Sequence, residues 1–286
     1  MRRGRRRKIE EGIFKVLMIG STAVVVSSLL FILGTVIVKS LPALRPSMLF
    51  QIPKGGYYLG KEGGILNAIL GSLYLAGGAT LLAVVVSLPV VLYVNLYARA
   101  SSPFATITRF ALDVLWGVPS IVYGAFGFVV MMSLGLRASL LAGLITVGLL
   151  EIPIMARAMD EVMRLVPRPL LDASSALGAT RFETALKVAV RQAMPGLITG
   201  VLIALGRGIG DAASVLFTAG FTDSVPTSLL RPAATLPLAV FFQLGSPFPE
   251  VQQRAYASAA VLTLIVLAVS LAGRALARRL RRHTLR

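Results

Sequence analysis

Long apolar runs separated by short polar breaks dominate this chain. Six of them occupy residues 14–38, 68–97, 107–134, 138–155, 196–221 and 256–277. About 20 apolar residues cross the hydrocarbon core of a bilayer as a helix. Lipid offers no hydrogen bonds to free backbone groups, so bundled helices are the expected solution. The pattern therefore predicts an all-α membrane protein with six transmembrane helices. The second run exceeds one bilayer thickness and is expected to tilt or to project into water. Between the fourth and fifth runs lies a polar, helix-prone island, Leu170 to Thr199. Leu170, Leu171 and Ser174 share one helical face there, as do Phe182, Leu186 and Val190. Gly178 stands between the two sets. Glycine inside a helix costs about 1 kcal/mol, so the pattern predicts two short helices hinged at Gly178. Short amphipathic helices of this kind suit a groove on a partner; a surface helix with no partner is the other reading.

The composition fits a membrane chain. Of 286 residues, 56% are hydrophobic and 14% charged, with a mean hydropathy of +0.81; a soluble domain carries about 25% charge. The net charge of +17 suggests nucleic acid until its distribution is followed. Basic residues crowd the first eight positions, the 157–191 stretch and the last thirteen. The positive-inside rule then places both termini and the polar island in the cytoplasm, with residues 39–65 outside. The basic ends are expected at anionic lipid headgroups. No aromatic residues interleave with them, so no nucleic acid is expected. The first run is too long for a signal-peptide core and lacks a small-x-small cleavage site, so it is expected to be an uncleaved anchor. Cysteine is absent and His283 is the only histidine, which excludes a thiol nucleophile, a disulfide and a His/Cys metal site. Residues 55–61 fit Gly-x-x-x-x-Gly-Lys, but Glu62 stands where Ser or Thr should bind magnesium. The chain has no nucleotide site of its own, no expected cofactor and no covalent chemistry. Its expected organisation is a basic tail (1–13), a first helix and outer loop (14–62), a transmembrane domain (63–281) with the polar loop at 165–195, and a short tail (282–286).

Several residues stand out against this background. In the third run, Asp113-Val-Leu-Trp-Gly-Val-Pro-Ser-Ile-Val-Tyr-Gly124 places Gly117 and Pro119 inside a span. Proline removes a backbone bond and frees carbonyls near Leu115. Broken membrane helices line cavities or pack on protein, so Ser120 and Tyr123 are solute-path candidates or parts of a packing kink. In the fifth run, Arg207 and Asp211 are four apart and expected on one helix face. Each costs about 2.5–3.5 kcal/mol at a bilayer centre. They line an anion path or form a structural ion pair. Gly206 and Gly210 form a small-xxx-small pair suited to close helix approach. Asn67 is a candidate N-cap for the second span. Glu151, near the end of the fourth run, is expected to pair at the membrane border.

These strings resemble the permeases of bacterial ABC importers. Asp172, Ala173, Ser174 and Gly178 occupy the places of the family's Glu-Ala-Ala-x-x-x-Gly signature. Gly-Val-Pro-Ser-Ile-Val-Tyr-Gly is close to the phosphate-type Gly-Ile-Pro-Ser-Val-Val-Tyr-Gly, and Gly63-Gly-Ile65 to the start of their core. Arg207-Gly-Ile-Gly-Asp211 matches Arg-x-x-Gly-Glu, one methylene shorter. The chain departs from the pattern at Glu151, usually apolar, and at Arg191, where a proline is usual; the helix break is then expected at Pro195. The likeness covers residue 63 to the C-terminus and favours the A-type inner-membrane permease of a phosphate importer. It implies a type I importer fold whose loop between helices 4 and 5 couples to an ATPase through Asp172, Ala173, Ser174, Gly178, Arg181 and Phe182. It also implies a C-type permease partner, two ATP-binding cassette subunits and an extracytoplasmic phosphate-binding protein. A permease for sulfate, molybdate or tungstate, and a stand-alone secondary transporter, are the alternatives.

Overall fold

The computed structural model describes residues 2–54, 62–98 and 102–280. The stretch 55–61 and the tail 282–286 lie outside the described residues. Helix α1 (Arg2–Ser40) takes in most of the expected basic tail as well as the first apolar run. It packs mainly on the last helix and leaves Phe14, Leu17 and Phe31 exposed, as lipid-facing side chains would be. A short helix α2 (Pro46–Phe50) and a two-residue antiparallel ladder, β1 (Pro53–Lys54) with β2 (Glu62–Gly63), follow α1.

Helix α3 (Leu66–Leu92) continues as a π-helical stretch, Tyr93–Tyr97. Its N-cap is Ile65, not Asn67. Asn67 is instead buried in the first turn, where its amide donates to the Thr222 carbonyl at 2.7 Å. Its Oδ1, the atom a cap would use, has no partner among the described residues.

The third apolar run is two helices, α4 (Pro103–Trp116) and α5 (Ser120–Ser133), bent by 100° at the Gly117–Pro119 break. Each has 14 residues and is thus about 21 Å long, short of a hydrocarbon core about 30 Å thick. Among the described residues, five helices are long and apolar enough to cross a membrane, and six spans result if the bent pair is one.

Helix α6 (Leu140–Arg164) is the central element, packed between α3 and α9 (Val190–Gly210) and touched by both α4 and α5. The polar island forms α7 (Arg168–Ala176) and the short helix α8 (Arg181–Glu183). The second of these does not stop at Pro195. It runs through a π-helical stretch, Thr184–Ala189, into α9, with Pro195 inside the helix. Its far end differs too: α9 stops at Gly210, and residues 211–235 are irregular. An apolar run there reads as helix, yet its carbonyls are drawn away. The Thr218, Arg231 and Leu229 carbonyls accept the first N–H groups of α6, from Ser139, Leu140 and Leu141, at 2.8–2.9 Å. Irregular backbone is tolerated at depth when protein satisfies it. Helix α10 (Leu236–Leu244) and the long α11 (Pro249–Leu280) complete the bundle.

Candidate functional site

Two broken helix ends meet inside the bundle. Pro119 caps α5 with no side-chain hydrogen bond to its first turn, so the free N–H groups there carry the positive end of the helix dipole. Ser120 is the first residue of this helix and half-buried. One turn on, Gly124 is pressed against the segment after α9: a Cβ there would lie 2.7 Å from the Ala213 carbonyl oxygen and 3.0 Å from that of Ser214. The start of α5 and the end of α9 are therefore neighbours.

Tyr123 braces this junction. It is buried, and its hydroxyl donates to the Leu115 carbonyl at 2.9 Å, one of the carbonyls expected to be freed by Pro119. Asp211 sits just past α9 in extended conformation. It shares no helix face with Arg207, because the helix has ended. Its Oδ2 accepts the Ser214 N–H at 2.9 Å and caps the turn that follows. The expected Arg207–Asp211 pair is absent among the described residues. Arg207 is exposed on α9 with no hydrogen-bond or ion-pair partner among them. Its neighbours Gly206 and Gly210 meet nothing within 4 Å, so the expected small-residue contact is not there. This face of α9 is open in the single chain.

The close contact belongs to Gly208, one residue on, which lies against α6. A Cβ at 208 would overlap Glu151 Oε1. Glu151 is not paired as expected: the side chain is buried inside α6, which runs on to Arg164. The Thr80 hydroxyl of α3 faces it without reaching hydrogen-bonding geometry, and neither carboxylate oxygen has a partner. Glu151 and Arg207 are thus two unpartnered charge-bearing groups on touching helices, Glu151 buried against Gly208 and Arg207 exposed.

The polar island has the geometry of a docking element. Gly178 turns the chain at φ +84° with nothing within 4 Å of a would-be Cβ. Thr180 and Glu183 form a reciprocal capping box, which restarts the chain as a helix. Ser174 and Thr184 bridge the two arms through their hydroxyls at 2.9 Å. Asp172, Ala173 and Arg181 are exposed, and so is Phe182 at 65%; Leu177 at the turn is 89% exposed. Apolar side chains that open to water on a rigid turn suit a protein groove.

The family of binding-protein-dependent transport system inner membrane components matches residues 96–285. The chain belongs to this family. The phosphate transport system permease protein PstA of Haemophilus influenzae is 35% identical over 243 residues, 85% of each chain. PstA 2 of Mycobacterium bovis is 32% identical over 274 residues, 94% of this chain and 88% of that one. Among solved structures, the MetNI methionine ABC transporter in an inward-facing form has a chain with a TM-score of 0.61 at 19% identity, over 76% of this chain and 95% of that one. That likeness bears on the fold alone, and it is the type I importer permease fold. This permease is a multi-pass inner-membrane transport subunit of an ABC importer with further subunits, and not an enzyme.

One polar network had been missed in the pattern of the chain. Asp160, 2% exposed, takes Arg109 Nε at 3.1 Å, Arg164 Nη2 at 2.9 Å and the Asn95 amide at 2.7 Å. Arg157 bridges to Asp113 at 3.2 Å and Glu161 at 3.5 Å. It ties α4, α6 and the π-helical end of α3 together at the same end as the polar loop. The i,i+4 spacings Arg157/Glu161 and Asp160/Arg164 were the available signal.

The Gly208–Glu151 contact gives a direct test of packing. Gly208→Ala should destabilise the permease by about 1–3 kcal/mol, the usual cost of overpacking. Glu151→Ala should relieve it, so the double variant should be less than additive in thermal unfolding of the purified protein. Full additivity would place the two apart.

Proposed function

We propose that this permease forms half of the transmembrane path for inorganic phosphate in an ATP-driven importer. The observation that carries the path is Arg207, exposed on α9 with no partner among the described residues, one turn before the segment that meets α5 at Gly124. A planar guanidinium fork matches a tetrahedral oxyanion, and a helix N-terminus inside a membrane bundle favours negative charge. Phosphate rather than another oxyanion is supported by the names of the curated relatives. Arg207, Asp211, Ser120 and Tyr123 are the proposed path residues. Arg207 contacts solute, Asp211 and Tyr123 hold the broken ends, and Ser120 offers its hydroxyl at the α5 start. The open face of α9 is completed by a C-type permease. Two ATP-binding cassette subunits grip the coupling loop at Asp172, Ala173, Ser174, Gly178, Arg181 and Phe182. A phosphate-binding protein delivers solute from outside. Radiolabelled phosphate uptake tests the substrate: unlabelled phosphate should compete, whereas competition by sulfate, molybdate or tungstate at equal concentration would overturn the phosphate assignment.

The proposed orientation has both termini and the coupling loop in the cytoplasm and residues 57 and 223 outside; residue 57 lies outside the described residues. The native chain has no cysteine, so single cysteines are read without background from it. An impermeant maleimide on intact cells should label Asp223→Cys and spare Phe182→Cys. Labelling of position 182 from outside would reverse the topology.

A further inference from the structure

A cavity of about 330 Å³ opens beside the coupling loop, between the bundle and α7. Its walls include Asn95 and Ala98 from the end of the π-helical stretch, Arg109 from α4, Arg164 from the end of α6, and Arg168 and Leu171 from α7. That volume is about ten times a water's share of liquid. Three guanidinium groups face one space, and their charges are not balanced. Arg157 behind them is met by Asp113 and Glu161. The single carboxylate of Asp160 serves Arg109, Arg164 and, at 3.9 Å, Arg157 as well. Arg168 has no hydrogen-bond or ion-pair partner among the described residues. The cavity therefore keeps a surplus of positive charge. It also keeps unused donors: Asp160 and Asn95 engage Nε and Nη2 of Arg109 and, by the bridge to Asp160, Nη2 of Arg164, which leaves Arg109 Nη1 and the other N–H groups of Arg164 outside those bonds.

We propose that this cavity is a second oxyanion site, distinct from the Arg207 path, that binds a phosphate group between Arg168 of α7 and Arg109 and Arg164 of the bundle. Forked donors on both sides of one space suit a ligand with several acceptor oxygens in a tetrahedral arrangement. Chloride would satisfy the charge and leave most donors idle. The phosphate group is either free inorganic phosphate or the headgroup of an anionic phospholipid, since the cavity lies where the bundle meets the coupling loop. Its mechanical consequence follows from position. Arg168 begins the helix that carries Asp172, Ala173 and Ser174, whereas Arg109 and Arg164 belong to helices of the bundle. A bound phosphate group would strap the coupling helix to the membrane domain across the Leu165–Pro167 joint. For free phosphate this inference rests on the proposed orientation and substrate, because the cavity then faces the compartment that receives the solute.

The test uses the full transporter complex with Ala98→Cys in this chain, reconstituted in nanodiscs of pure phosphatidylcholine, with alkylation at position 98 followed by peptide mass spectrometry. Inorganic phosphate should slow alkylation by a factor of one plus its concentration over Kd, about threefold at twice Kd, whereas chloride at matched ionic strength should not. Arg168→Ala should abolish the protection, and Arg207→Gln should leave it intact even where uptake is lost. Slow alkylation in phosphatidylglycerol nanodiscs without phosphate, relieved by Arg168→Ala, identifies the lipid headgroup as the occupant and also supports the site. Absence of protection by either source, or protection that survives Arg168→Ala, overturns it. If Ala98→Cys impairs assembly, Leu171→Cys lines the same cavity and serves as reporter. The phosphate-path assignment is tested separately by uptake, so the two can fail independently.

Discussion

Arg207→Gln should reduce phosphate uptake by between about 30-fold and several thousand-fold while the complex still assembles. The range follows from the cost of about 2–5 kcal/mol for truncating one member of a desolvated, hydrogen-bonded charge pair, here arginine with the passing anion. Assembly should survive because the side chain is exposed and makes no ion pair among the described residues. The competing explanation, a structural pair with Asp211, predicts that Arg207→Gln with Asp211→Asn regains uptake once no lone charge remains. The structure already argues against that outcome. Asp211 accepts a backbone N–H from Ser214 and sits beyond the end of α9. Asparagine keeps an acceptor oxygen for the cap, so Asp211→Asn alone should cost little, and the double variant should remain as inactive as Arg207→Gln. Radiolabelled uptake in cells without other phosphate transporters decides it; recovery in the double variant would remove Arg207 from the path.

The Arg207 string was legible because charge in an apolar run is costly and therefore conspicuous. The partnership drawn from its spacing was not. Spacing implies a shared face only while the helix lasts, and α9 ends at Gly210, beyond which the Thr218, Leu229 and Arg231 carbonyls serve the N-terminus of α6. No local pattern announces such a long-range bond. Asn67 likewise makes a long-range bond, to Thr222, that its place in the sequence does not announce. Glu151 was expected to pair, yet it lies inside a helix that carries Pro153 and runs on to Arg164, and its carboxylate has no partner among the described residues. Proline did not mark a break everywhere. Gly117 and Pro119 together give a 100° bend, whereas Pro153 and the Pro195–Gly196 pair leave their helices continuous. A lone proline in a membrane helix frees one carbonyl that neighbouring groups can satisfy.

The coupling loop was the most legible part, since its two arms and hinge follow from helical spacing and one glycine, and both are seen. What spacing could not supply is the stiffness of the hinge. The capping box at Thr180, the Ser174–Thr184 bridge and the unbroken run from Arg181 into α9 make the second arm an extension of a membrane span. The second arm and α9 are thus one continuous helix from Arg181 to Gly210, which takes in the π-helical stretch and Pro195.

Gly178 is the turn that precedes that helix, and Gly178→Leu should uncouple the transporter. Its φ of +84° is left-handed, and nothing lies within 4 Å of a would-be Cβ. The cost to a leucine is thus backbone strain alone, about 1–2 kcal/mol, with no clash to unfold the bundle. The turn would relax toward a right-handed conformation and swing Leu177 and Phe182, the exposed apolar pair on either side of it, out of register with a partner groove. Membrane insertion and permease pairing should be unchanged, because those surfaces lie in the spans. The binding-protein-stimulated part of ATP hydrolysis by the reconstituted complex should fall close to the basal rate. Gly178→Asn should retain more of it, since asparagine enters the left-handed region more readily than leucine. Stimulation equal to the native level in the leucine variant, with normal assembly, would show that the turn conformation is not transmitted to the ATPase.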